Sequence, residues 1–176
     1  MDSSISLLII TGPVGVGKTS AAESVFDILS AKTTPSAVID FDWLTTAYPP
    51  PVDDRFNFEL GIKNLSSMLP NYLTKGIKLF IIPTVVESKE EIETFKSLIQ
   101  GSGIFVVRLT AHPATLHKRL DKREIGSLLN WHKNRALELI EVFESKKLEN
   151  IVVDTENRSI DSIAEEILLA WQARIA

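Results

Sequence analysis

The sequence predicts an α/β protein, a three-layer α/β/α sandwich around a five-stranded parallel sheet, and two observations carry that expectation. Five short runs rich in Ile, Val and Leu are apolar on both faces: Ser6 to Thr11, Ser36 to Asp40, Ile77 to Ile82, Ile104 to Leu109 and Ile151 to Val153. Such runs suit parallel strands, whose sheet is covered by helices on both sides. The longer stretches between them place apolar residues at helical spacing, so strand and helix alternate along the chain.

The first run leads into a glycine-rich stretch, and a helix is expected from there to about Leu29, burying Ala21, Val25, Ile28 and Leu29. After the turn at Pro49-Pro50-Pro51, a second helix covers roughly Asp54 to Leu73, capped by Asp53 or Asp54. Ser88 and Glu91 have the spacing of a capping box and open a third. Pro113 fits the first turn of a fourth, where its missing amide hydrogen costs nothing. A long helix follows from about Ser127 to Lys147, and the last starts near Ser159 with Ile160, Ile163, Ile167 and Leu168 inward. No repeat interrupts the pattern, and residues 1–176 are expected to form one domain.

Composition narrows the function classes. The chain is 44% hydrophobic and 24% charged, the balance of a folded globular protein rather than a disordered one. A formal charge of −4 provides no broad positive field, which argues against nucleic acid as a partner. With no cysteine there are no disulfides and no thiolate metal sites. The apolar run at Ile5 to Ile10 is too short to span a bilayer and lacks a basic start, so no membrane association and a cytoplasmic location are expected.

The strongest chemical signal is Gly12-Pro13-Val14-Gly15-Val16-Gly17-Lys18-Thr19, a G-x-x-x-x-G-K-[ST] phosphate loop without a mismatch, between a strand and a helix. Glycine permits backbone conformations that turn successive amide hydrogens inward around a phosphate. The helix that begins there adds free amides and the positive end of its dipole. Lys18 supplies a point charge for the β- and γ-phosphates, and Thr19 a hydroxyl for Mg²⁺. These eight residues and Ser20 are the candidates to hold a nucleoside triphosphate. The loop does not by itself select a reaction.

Three patches in order, the phosphate loop, Val38-Ile39-Asp40-Phe41-Asp42 and Arg119-Leu120-Asp121-Lys122-Arg123, resemble the small P-loop kinases. Shikimate kinase, gluconate kinase and chloramphenicol phosphotransferase are nearest in style, with adenylate kinase more distant. The resemblance implies a P-loop NTPase fold with strand order 2-3-1-4-5, substrate above the strand ends, and ATP and Mg²⁺ as cofactors. It also implies a substrate-side segment at about 42–73 and a short lid at about 119–127.

Asp40 and Asp42 close the second apolar run, and residues two apart on an extended segment face one side. One carboxylate can hold water on Mg²⁺ while the other accepts the proton of an attacking hydroxyl. The resemblance makes Asp40 the metal-side group, with Thr19, and Asp42 the base. The alternative is that Asp42 caps a turn and Asp40 faces solvent. Arg119 and Arg123 are four apart and share a helix face. In the resembling kinases such a pair begins a lid, where arginine stabilises charge on the transferring phosphoryl group. The plainer reading is a basic helix end that complements the dipole.

Two features of those kinases are missing. The third run, Leu79-Phe80-Ile81-Ile82-Pro83, has no aspartate, which disfavours motor-type ATPases, and no glycine-rich shikimate-binding segment follows it. For an acceptor, Trp43 and Tyr48 offer stacking surfaces and Arg55 an anion contact, unless they only pack or face water. Trp131, His132 and Arg135 are expected toward the same cleft, although Trp131 and Leu128 also fit an ordinary packing stripe, and by the resemblance residues 154–158 border the adenine. The leading expectation is an ATP-dependent phosphotransferase acting on a small-molecule hydroxyl acceptor. A nucleotide-binding switch or slow NTPase is the alternative, and a polynucleotide end-kinase fits the acidic balance less well.

Overall fold

The computed structural model describes residues 5–99, 103–123, 126 and 128–175. Five parallel strands form one sheet in the order β2-β3-β1-β4-β5. The strands are β1 Ser6–Thr11, β2 Ser36–Val38, β3 Leu79–Pro83, β4 Ile104–Thr110 and β5 Ile151–Asp154. Central β1 is buried throughout, with Leu8 beside Ile81 on one side and Phe105 on the other.

Alternation along the strands divides the core. Leu8, Ile10, Ile81 and Val107 pack against α1 (Lys18–Ala31), α5 (Pro113–Arg123), α6 (Leu128–Lys146) and α7 (Ile160–Ile175). Leu7, Ile9, Phe80, Ile82 and Val106 face α2 (Phe41–Thr45), α3 (Phe58–Leu73) and α4 (Lys89–Ser97). A side-chain period of two thus yields three layers, as a sheet apolar on both faces requires.

Two boundaries differ from expectation. The second run stops being a strand at Val38, and Asp40 instead caps the five-residue helix α2, accepting from the Asp42 amide at 3.1 Å. Helix α3 starts at Phe58 rather than Asp54, yet Asp54 caps it from outside, accepting from Phe58 at 2.7 Å and Glu59 at 2.9 Å. Asn57, in a left-handed conformation, turns the chain between the two. In α4 the Ser88 hydroxyl accepts from the Glu91 amide, as a capping box requires, and the Glu91 carboxylate turns back to accept from the Glu87 amide at 2.7 Å.

Candidate active site

The site is built at the carboxyl ends of the strands, where doubly wound sheets bind ligands. The loop leaving β1 turns through Gly12, Gly15 and Gly17, all at positive φ. At Gly12 a Cβ would stand 2.5 Å from the Leu109 carbonyl oxygen, so β4 packs directly against the loop backbone. Helix α1 then begins at Lys18 with Gly17 at its N-cap and no side-chain cap, which leaves its first amides to a ligand.

Lys18 is held in the loop, donating to the Gly12 carbonyl at 3.0 Å and the Pro13 carbonyl at 3.4 Å. Burial pulls its pKa from 10.5 down to about 8; Asp42 and Asp40 oppose the shift and Arg123 adds to it. Burial likewise raises the Asp42 carboxyl above the ordinary carboxylate range, with Lys18 opposing and Asp40 assisting. Both aspartates therefore converge on the lysine, though not by the expected route. Asp40 terminates an extended segment and Asp42 lies in the first turn of α2.

Buried Phe41 fixes that turn. Its ring packs 5.1 Å from Phe95 and 5.7 Å from Phe58, and Gly61 of α3 lies so close that a Cβ would meet Phe41 Cζ at 2.6 Å. The other end of α2 is held by α3 side chains. Asn57 Nδ2 donates to the carbonyls of Thr45 and Ala47 at 3.0 and 3.1 Å, and Asn64 Nδ2 to that of Leu44 at 2.8 Å. A short helix that would fray alone is thus locked between the two aspartates and α3. On its outer side Asp40 accepts from the Thr19 hydroxyl at 3.2 Å, so the last loop residue and the cap of α2 meet.

A cleft of about 530 Å³ runs from Val14, Gly15 and Gly17 to Ser20 of the loop, across Asp42, to a wall from the 53–58 segment, the β3–α4 connection and α6. Of the two arginines at the end of α5, Arg123 lines this cleft. Arg119 does not. It donates to the Val16 carbonyl at 3.2 Å, the Thr155 hydroxyl at 3.0 Å and the Thr155 carbonyl at 3.0 Å, joining the loop to the segment after β5. Residues 124, 125 and 127 of the expected lid lie outside the described residues.

Arg55 lines the cleft, but Trp43 and Tyr48 do not; they are 78% and 94% exposed. The reason is local. Trp43 is two residues beyond Phe41, and residues two apart on a helix cannot both face inward. The rings at the cleft are instead Phe56, Phe58 and Trp131. His132 and Arg135 also line it, as do Thr84 and Glu87, which the sequence did not single out. Both follow β3, and position just beyond the carboxyl end of a central strand is the signal that could have found them. Among the described residues no group of three His, Asp or Glu side chains gathers as a metal cluster, and no helix is long and apolar enough to cross a membrane.

No protein-family model matches this chain, and no curated protein matches it by sequence. Solved structures do. A gluconokinase from Sinorhizobium meliloti superposes with a TM-score of 0.66 at 18% identity, covering 99% of this chain and 95% of that one. Shikimate kinase from Acinetobacter baumannii, solved with shikimate, gives 0.62 at 17% identity over 98% and 95%. The APS kinase of Mycobacterium tuberculosis, solved with AMPPNP and APS, gives 0.63 at 19% identity over 97% and 99%. The chain has the fold of the P-loop kinases, and at this identity the likeness extends to the fold and to no single family within it.

Proposed function

We propose that this protein transfers the γ-phosphate of Mg-ATP to a hydroxyl group of a small molecule. The observation that carries the reading is the meeting of Lys18, Asp42 and the phosphate loop at one end of a cleft whose other end is walled for an organic ligand. A binding switch needs the loop, but it has no use for a second compartment beside a carboxylate.

In this reading the backbone amides of residues 14–20 and Lys18 hold the triphosphate. The acceptor oxygen attacks the γ-phosphorus as the bond to the β–γ bridging oxygen breaks; its proton passes to Asp42, and ADP leaves. Burial raises the Asp42 carboxyl, which makes it a stronger base for that proton than an ordinary carboxylate. Arg123, on the cleft wall, faces the charge that develops in transfer, whereas Arg119 serves the nucleotide by bracing the loop against Thr155.

The donor set fits Mg²⁺: a hydroxyl on Thr19 and a carboxylate on Asp40, oxygen ligands 3.2 Å apart, are what this ion takes when phosphates and water complete its shell. Bound there, it would neutralise phosphate charge and hold the β- and γ-oxygens in register. The test is incubation with ATP, Mg²⁺ and a panel of hydroxylated compounds, scoring ADP and phosphorylated product, beside Asp42→Asn. Acceptor-dependent ADP release that the substitution abolishes is expected. Hydrolysis indifferent to every acceptor would instead favour a slow NTPase.

A further inference from the structure

We propose that the acceptor end of the cleft is built for a neutral or positively charged hydroxylated ring compound, such as an amino sugar or cyclic amino alcohol, rather than a hydroxy acid. This rests on the phosphotransferase reading and specifies the charge class of its acceptor.

The cleft lining carries five carboxylates, Asp42, Asp53, Asp54, Glu87 and Glu91, against Lys18 and three guanidinium groups, Arg55, Arg123 and Arg135; Lys18 and Arg123 stand with Asp42 at the phosphate end. Beyond that end four carboxylates face two guanidinium groups, which leaves the wall at −2. The pairing within it matters more than the total. Arg135 is buried and already satisfied: it pairs with Glu87 across the cleft and with Glu138 at 2.7 Å on its own helix. Two carboxylates on one guanidinium compensate its charge, so it offers no net attraction to an incoming anion.

Arg55 lies at the exposed rim, over the Phe56 ring at 5.2 Å and the Trp131 ring at 5.8 Å, and Arg135 lies 5.1 Å from the same Phe56 ring. Cation and ring alternate, Arg135, Phe56, Arg55, Trp131, so both guanidinium groups serve to fasten the 55–56 segment to α6. On the acidic side, Asp54 spends both oxygens on the amides of α3. Asp42 stands against Lys18, and of the remaining groups Asp53 and Glu91 form no salt bridge among the described residues, against a single guanidinium without one, Arg55. The unpaired charge facing the cavity is therefore negative.

Ionised carboxylates accept hydrogen bonds and donate none, so they select hydroxyl and ammonium groups. Phe56 and Trp131, 45% and 38% exposed, add apolar faces against which a ring can lie. A cavity of about 530 Å³ that also takes the end of the triphosphate leaves space for a compact acceptor.

The experiment compares transfer from ATP to hydroxylated rings binned by charge, with matched trios such as glucosamine, glucose and glucuronate, for the wild type and Glu87→Gln. The expected result is kcat/KM at least about tenfold higher for the amine or neutral members than for the acids, the gap expected of uncompensated charge in a shielded site. In Glu87→Gln that gap narrows, because half of Arg135's charge is released toward the cleft. Preference for the acids, dependent on Arg55, would overturn the charge assignment and leave the phosphotransferase reading standing. Absence of transfer to every member, with ATP bound, would sink both.

Discussion

Replacing Lys18 by methionine removes a cation that the fold holds away from water, and its consequences run in opposite directions for stability and binding. In the folded chain the lysine pKa falls from 10.5 to about 8. At about 1.36 kcal/mol per pKa unit, holding it charged at pH 7 costs the folded state about 3 kcal/mol. Its hydrogen bonds to Gly12 and Pro13 return about 1–2 kcal/mol, so Lys18→Met is expected to stabilise the nucleotide-free protein by about 1–2 kcal/mol. In a chain of this length that raises Tm by about 2–8 °C. The sign with pH is fixed by the direction of the shift. A lysine whose folded pKa is depressed destabilises fully below about 8, and the penalty fades as pH rises from there toward 10.5. Urea unfolding of both proteins at pH 7 and pH 10 measures this; titrations remote from Lys18 are common to both and cancel, and Asp42, whose carboxyl Lys18 lowers, is the one that differs. The variant is expected to lead at pH 7 and to lose that lead or fall behind at pH 10, where the lysine penalty is about 2.5 kcal/mol smaller. A variant less stable at pH 7, or a lead indifferent to pH, would refute the desolvated-lysine argument.

Other substitutions separate the roles assigned to the site. Asp42→Asn is expected to lower kcat by about a hundredfold or more with nucleotide affinity changed only a few-fold, read by turnover and calorimetry. The wild-type pH profile of kcat/KM should fall on the acid side above the ordinary carboxylate range, as Asp42 is protonated, and on the alkaline side near 8, as Lys18 loses its proton. Gly61→Ala forces a methyl to within 2.6 Å of Phe41 and Thr45, so a loss of about 1–3 kcal/mol is expected in denaturant unfolding, with reduced turnover because the aspartates ride on the displaced helix. Arg119→Ala should weaken nucleotide binding by about tenfold and spare kcat, whereas Arg123→Ala should lower kcat; titration calorimetry beside initial rates distinguishes the two.

Much of this was legible in the chain because it rests on local pattern. The span of β1 and the setting of the phosphate loop follow from an apolar run, three glycines and a helix-forming sequence in contact along the chain. What the sequence hid depends on packing between distant segments. Helix α2 is shorter than two turns, so it shows no periodicity, and it exists because Phe41 sinks among Phe58 and Phe95 and because Asn57 and Asn64 cap its far end. Arg119 and Arg123 do share a helix, yet a loop carbonyl and Thr155 claim one while the cleft takes the other. Trp43 of α2 and Tyr48 beside the proline turn are exposed away from the cleft, whereas rings at the cleft come from Phe56 and from Trp131 on α6, far apart in the sequence. Likewise the pairing of Glu87 with Arg135 on the cleft wall spans 48 residues and has no sequence signature.

The central claim is that the turn from Gly12 to Ser20 grips a triphosphate through its amides and Lys18. Titration of Mg-AMPPNP into the wild-type protein and Lys18→Met, followed by calorimetry at pH 7, reads that grip without need of an acceptor. The account predicts one site per chain in the wild type and an affinity at least about a hundredfold weaker in the variant, as expected for loss of a shielded charge on phosphate. Equal affinity in the two proteins, or no binding by the wild type, would contradict it.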